Sequence, residues 1–138
     1  MKPATVDANV NLCDLFATLC DLTGVPVPDG LDSRSLVPLL DGAERGEPVP
    51  GWNDESVSQM NSDHLMVKQG SLKYQYYGEE IPEVLFDLDA DPGETRNVIA
   101  ESRYAPAVSA FRRRRGELGH GPEADRNYRN AGYGKAAG

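Results

Sequence analysis

Apolar side chains recur at Leu12, Leu15, Phe16, Leu19, Cys20 and Leu22, a spacing that lines one face of a helix over residues 9–22. Asp7 or Asn9 is placed to cap its start, and Gly24 followed by Pro26 ends it. A loop with Pro26, Pro28 and Gly30 follows. A short helix is predicted over 33–40, capped by Asp32 or Ser33 and closed by Asp41-Gly42. Residues 43–53 are rich in Gly, Pro and charge and read as a surface loop. The period then shifts to two. Residues 55–60, 64–69, 72–77 and 84–88 read as strands, and Gly70-Ser71 is a two-residue hairpin turn with glycine first. Asp91-Pro92-Gly93-Glu94 carries the order of a helix start: a capping Asp, Pro at the first position, an acid behind it.

A last helix is predicted over 105–118, with Val108 and Phe111 inward. A small sheet leaves one face bare unless something covers it, and this helix is the element available. The expected fold class is therefore α+β: a small antiparallel sheet of three to four strands under a C-terminal helix, preceded by helices. Leu65, Val67, Leu72, Tyr74, Leu85 and Leu88 are its expected core. Alternation puts Tyr74 and Tyr76 on one face and Tyr77 on the other. The expected organisation is a helical and strand segment at 1–62, a sheet-plus-helix subdomain at 63–118, and a flexible polar, Gly-rich tail at 119–138.

Composition narrows the partners. The chain has 138 residues, 39% apolar and 26% charged, ordinary for a globular domain. Its net charge of −8 opposes nucleic-acid binding. The basic run Arg112 to Arg115 reads as the solvated end of a helix. No apolar run is long enough for a membrane helix, and the first residues lack the apolar core of a signal peptide. The chain as given is thus expected to be soluble and cytoplasmic. Cys13 and Cys20 lie two helical turns apart, too far for a disulfide, and read as small buried hydrophobes.

Four segments in order carry a resemblance to a known family. They are Val10 to Pro26 with its Asp14-Leu15 and Thr18-Leu19 pairs, and Leu31 to Leu40 ending in Leu36-Val37-Pro38-Leu39-Leu40. Then come the hairpin Met66 to Tyr74 and the stretch Leu85-Phe86-Asp87-Leu88-Asp89-Ala90-Asp91-Pro92-Gly93-Glu94-Thr95-Arg96-Asn97-Val98. Together they resemble the C-terminal portion of sulfatases of the alkaline-phosphatase-like superfamily. Ala17 stands where that family has a proline, and Leu72 where it often has tryptophan.

The resemblance implies a sulfuric ester hydrolase whose catalytic half lies upstream. Family members use a formylglycine made within C-x-P-x-R and a divalent cation such as calcium, held by Asp and Asn. Cys13 and Cys20 are followed by Asp14-Leu15-Phe16 and Asp21-Leu22-Thr23, so neither carries that motif. No catalytic residue, metal ligand or cofactor is therefore assigned to this chain. Asp87, Asp89 and Asp91 alternate as in a calcium loop, but Pro92 and Val98 stand where that loop needs Gly and Glu. Turn and cap chemistry is the plainer account. The resemblance places this subdomain beside the catalytic cleft, which makes His64, Lys68 and Lys73 candidate rim contacts for an anionic substrate. A polar residue opening a strand is the plainer reading of His64, and a solvated tail residue that of His120.

In whole members the first helix and the first strand pack on the large catalytic sheet. Without that sheet, Leu12, Leu15, Phe16, Leu19, Val57 and Met60 lack a partner, to be supplied by the missing half or by self-association. The competing reading is a stand-alone binding or assembly module derived from a sulfatase.

Overall fold

The computed structural model describes residues 5–60 and 63–121. The chain forms two compact units, Met1–Ser56 and Val57–Gly138.

The first unit holds α1 (Asp14–Thr23) and α2 (Val37–Arg45). Both end at a glycine in the left-handed region, Gly24 at φ 70° and Gly46 at φ 69°. Helix α1 starts five residues later than its apolar spacing predicts, and its buried side is not its greasy side. Asp14, Ala17, Thr18 and Cys20 are buried, while Leu12, Leu15, Phe16, Leu19 and Leu22 are each at least half exposed. Hydrogen bonds to the following loop explain this. The fully buried Asp14 carboxylate accepts from the backbone N–H groups of Asn11 (2.8 Å) and Arg34 (2.9 Å). Thr18 Oγ1 accepts from Leu36 N at 2.9 Å, and Ser33 Oγ accepts from Ala17 N at 3.1 Å while donating to Cys13 O. Ser33 therefore serves the first turn of α1 instead of starting α2. Helix α2 begins at Val37 with Pro38 in its first turn, and Asp41-Gly42 lies inside it. Cys20 is buried, but Cys13, at the start of α1, is exposed; both are free thiols.

The second unit is an antiparallel meander. Strands β1 (Glu55–Met60), β2 (His64–Gln69), β3 (Leu72–Tyr76) and β4 (Val84–Asp87) lie in chain order in one sheet. The register of β2 on β3 pairs Leu65 with Tyr76 and Val67 with Tyr74, and that of β3 on β4 pairs Tyr74 with Leu85. Gly70 turns the hairpin with φ 54°. Helix α3 (Ala105–Glu117) covers the sheet, and Val108 and Phe111 are buried beneath it. The core is Leu65, Val67, Tyr74, Tyr76, Leu85, Val98, Tyr104, Val108 and Phe111. Val57 and Leu72 pack against it, so Val57 has a partner, whereas Met60 is exposed. Leu88 is only partly buried and lies outside that core.

No helix forms at Asp91-Pro92-Gly93-Glu94. Glu94 turns left-handed (φ 54°), and the Asp91 carboxylate accepts from the N–H groups of Thr95 (2.7 Å) and Arg96 (2.8 Å). The cap is real, but it closes a turn. The following segment returns to β4: Asn97 Oδ1 accepts from Leu85 N at 3.0 Å, and Val98 N donates to Leu85 O at 2.8 Å. Those bonds use the outward backbone groups of the sheet's last strand. His120, expected to be solvated, is buried just beyond α3. The rest of the expected tail, 122–138, lies outside the described residues.

Candidate functional site on the open face of the sheet

Strand alternation sorts the polar side chains. With Leu65 and Val67 turned to the helix, His64, Met66 and Lys68 of β2 face the other way; with Tyr74 and Tyr76 turned in, so do Lys73 and Gln75 of β3. The three candidate rim residues thus share one face. Lys68 and Lys73 are direct cross-strand partners. Two like charges so placed repel. Glu94 relieves this by accepting from Lys73 Nζ at 2.7 Å, while Lys68 Nζ donates to Gly70 O at 2.8 Å. Glu94 thus has its position through the left-handed turn that replaced the expected helix.

His64 stands at the other end of this face. Its ring meets Tyr77 edge-on, centroids 5.6 Å apart. Its Nδ1 lies 3.6 Å from Asp63 Oδ1, too far for a hydrogen bond, and both atoms are buried without a partner. Ser58, Met60, Met66 and Gln75 join His64 and Tyr77 around an open recess of about 210 Å³. His64 and the lysines therefore lie along one surface but do not converge on one point.

A second polar cluster, between sheet and helix, escaped sequence reasoning. Glu83, just before β4, accepts from Tyr74 Oη at 2.6 Å and from Arg115, and its other oxygen accepts from Arg112 Nε at 2.8 Å. Arg115 also lies over the Tyr76 ring (4.4 Å), and Tyr74 stacks on Phe111. The arginine run is therefore not a wholly solvated helix end: two of its members tie α3 to the sheet. Burial raises the Tyr74 hydroxyl pKa, and the Glu83 carboxylate beside it raises it further. Burial would also raise Glu83, but the Arg112 hydrogen bond, the Tyr74 hydroxyl and the two guanidinium charges outweigh it and hold the carboxyl below its ordinary value. A phenol kept protonated and a carboxylate kept ionised make a clamp, not an acid–base pair. The only signal in the sequence was the i, i+3 spacing of Arg112 and Arg115; their partner is 29 and 32 residues away.

The acidic run resolves the same way. Asp87 Oδ1 accepts from Asp89 N and Ala90 N and its Oδ2 from Tyr104 Oη, and the Tyr104 bond above all holds its pKa down. Asp91 is lowered chiefly by the Arg96 N–H. Among the described residues no three His, Cys, Asp or Glu side chains are grouped to hold a metal ion. Among the described residues the carboxylates of Asp87 and Asp91 are engaged in turns, and both cysteines lie on or beside α1. No helix among those residues is long and apolar enough to cross a membrane.

A four-stranded meander under one helix, preceded by two short helices, is an arrangement shared with the C-terminal part of sulfatases. A solved 2-O GAG sulfatase matches 85% of this chain at TM-score 0.62 and 30% identity, the match taking in 26% of that protein. The phosphonate monoester hydrolase of Agrobacterium radiobacter matches 76% of the chain at TM-score 0.55 and 28% identity. The match there takes in 24% of the hydrolase. Arylsulfatase K of Gallus gallus is 37% identical over 106 residues, which are 70% of this chain and 20% of the relative. The family model described as N-sulphoglucosamine sulphohydrolase, C-terminal, matches residues 1–119. The chain belongs to that family. It spans about a fifth of the length of the curated relatives it matches.

Proposed function

We propose that the chain serves as the C-terminal subdomain of a sulfuric ester hydrolase. It braces the catalytic part and presents His64, Lys68 and Lys73 at the rim of the substrate cleft, while ester cleavage belongs to the catalytic part. The observation that carries this is the stripe of Leu12, Leu15, Phe16, Leu19 and Leu22, exposed on and beside α1 in a chain that spans a fifth of its relatives. Contiguous apolar surface of this kind marks an interface. The four-fifths of a sulfatase that this chain does not span is the occupant we assign to it. A rim role suits the open sheet face, where cations stand in an otherwise acidic chain.

The relatives' names make a sulfate ester the first substrate class to test and a phosphonate monoester the second. The experiment assays 4-methylumbelliferyl sulfate and an aryl phosphonate, with calcium. One arm holds the purified chain; the other holds the chain co-expressed with a sulfatase catalytic part truncated before this subdomain. Turnover is expected only in the second arm, with the two polypeptides co-purifying. Turnover by the chain alone, surviving repurification, overturns the proposal. So does failure of the two parts to associate.

A further inference from the structure

The first unit holds a cavity of about 510 Å³ that the roles above do not use. Its size falls within the roughly 300–1,000 Å³ of small-molecule sites. Three segments build it. Helix α2 gives Leu39 and Ala43, one turn apart on the same face. The loop after α2 gives Glu47 and Val49. That loop packs close because residue 42 is glycine: a Cβ there would stand 2.7 Å from Glu47 O and 3.0 Å from Val49 Cγ2. Residues 5–8 and Trp52 complete the walls. Asn9 fixes both, its N–H donating to Asp54 Oδ1 at 2.5 Å and its carbonyl accepting from Trp52 Nε1 at 3.2 Å. The cavity is therefore formed by the fold itself, without a ligand.

The lining decides the charge of what fits. Leu39, Ala43, Val49 and Trp52 offer apolar surface, and the charged side chains among the lining residues are Asp7, Glu47 and Asp54, all carboxylates. Glu47 pairs with Arg45 where both are well exposed, so water screens the bond. Arg34 lies over the Trp52 ring at 4.2 Å. Arg34 and Arg45 are the only basic residues between positions 5 and 56, where the sequence has ten acids. Asp7 is exposed and has no hydrogen bond or ion pair among the described residues. An anion is repelled here. A neutral apolar molecule gains the walls and nothing from the carboxylates; a cation with an apolar body gains both.

We propose that this cavity binds a small organic cation, its aromatic or alkyl body against Leu39, Val49 and Trp52 and its ammonium at Asp7. The site is separate from the role proposed above, since none of these residues belongs to the stripe on α1 or to the sheet.

Trp52 is the chain's single tryptophan, so its emission reports on this cavity. The test titrates the full chain with phenethylamine, and with phenylethanol and phenylacetate as a neutral and an anionic molecule of similar shape. A saturable change in emission is expected with the amine, about fivefold weaker affinity with the alcohol, and no change with the carboxylate. Added salt should weaken the amine and leave the alcohol unaltered. Asp7→Asn should bring the amine down to the affinity of the alcohol. Ala43→Leu fills the cavity from α2 and should abolish binding, with circular dichroism checking that the helices persist; if that variant unfolds, Asp7→Asn decides alone. No saturable change at millimolar amine overturns the proposal. Equal affinities for amine and alcohol, or undiminished binding by a folded Ala43→Leu, also overturn it.

Discussion

Leu85→Ala is the sharpest probe of the sheet. Leu85 is fully buried, faces Tyr74 across the strands and belongs to the cluster under α3. Its backbone N–H and C=O bond to Asn97 and Val98, and the substitution leaves both bonds in place, so the loss is one of packing. Three carbons leave the core, worth about 2.5 kcal/mol at ~0.8 kcal/mol per methylene. The cavity they leave raises the cost to about 3–4 kcal/mol, within the usual range for Leu→Ala. A unit of this size, Val57–Gly138, holds about 4–12 kcal/mol in all, at roughly 0.05–0.15 kcal/mol per residue. At about 4–8 °C per kcal/mol the melting temperature should fall by more than ~10 °C, or the transition should lose cooperativity. The assay is thermal unfolding followed by near-ultraviolet circular dichroism, which reports the tyrosines packed in this core, Tyr74, Tyr76 and Tyr104. Leu12→Ala is the control, since Leu12 is 84% exposed and should stay within ~0.5 kcal/mol of wild type. Equal melting temperatures for the two variants would refute the packing described for β3 and β4.

Three further outcomes follow from the same structure. Glu83→Gln removes the anion that Tyr74, Arg112 and Arg115 share and should cost about 1–3 kcal/mol. Because the Glu83 pKa is lowered on folding, its contribution is present above the ordinary carboxylate pKa and is lost as pH falls through the lower folded value. The melting temperature should therefore drop less steeply below about pH 5 in Glu83→Gln than in wild type; parallel acid limbs would count against the clamp. Gly42→Ala sets a Cβ 2.7 Å from Glu47 O, a backbone atom that cannot swing away, and should speed amide exchange in α2 despite alanine's better helix propensity. Unchanged exchange would mean that this turn is looser than described. Phe16→Asp with Leu19→Asp should leave stability within ~1 kcal/mol and reduce any self-association in sedimentation velocity; a loss above ~2 kcal/mol would show that the stripe has found a core.

The strands were legible nearly to the residue, because a period of two flanked by Gly70-Ser71 leaves one register that buries Leu65, Val67, Tyr74 and Leu85 together. The apolar stripe of the first helix is exposed, as its spacing in a chain without the catalytic sheet implies, but the helix starts five residues later than that spacing suggests and its inward side is held by Asp14, Thr18 and Ser33 bonding to backbone. Side-chain-to-backbone bonds between segments that far apart leave no periodicity in a sequence. Pro92 and the acid behind it looked like a helix start because caps and turns use the same residues. Of the candidate site, alternation alone put His64, Lys68 and Lys73 on one face. The opposition of the two lysines and the arrival of Glu94 needed the register and the left-handed turn, and neither is written locally.

The bonds from Asn97 and Val98 to Leu85 bear on how these molecules meet one another. A last strand with bare N–H and C=O groups is a template on which another chain can add, the usual route to sheet-mediated aggregation. At Leu85 both groups are already taken by the chain's own returning segment, so the template is interrupted in the middle of β4. The Asn97 side chain stands in for a neighbouring strand while offering no ladder for a further one to continue. Growth of the sheet by strand addition is thereby discouraged at β4, and any sheet-mediated assembly of this subdomain would have to begin elsewhere than at Leu85.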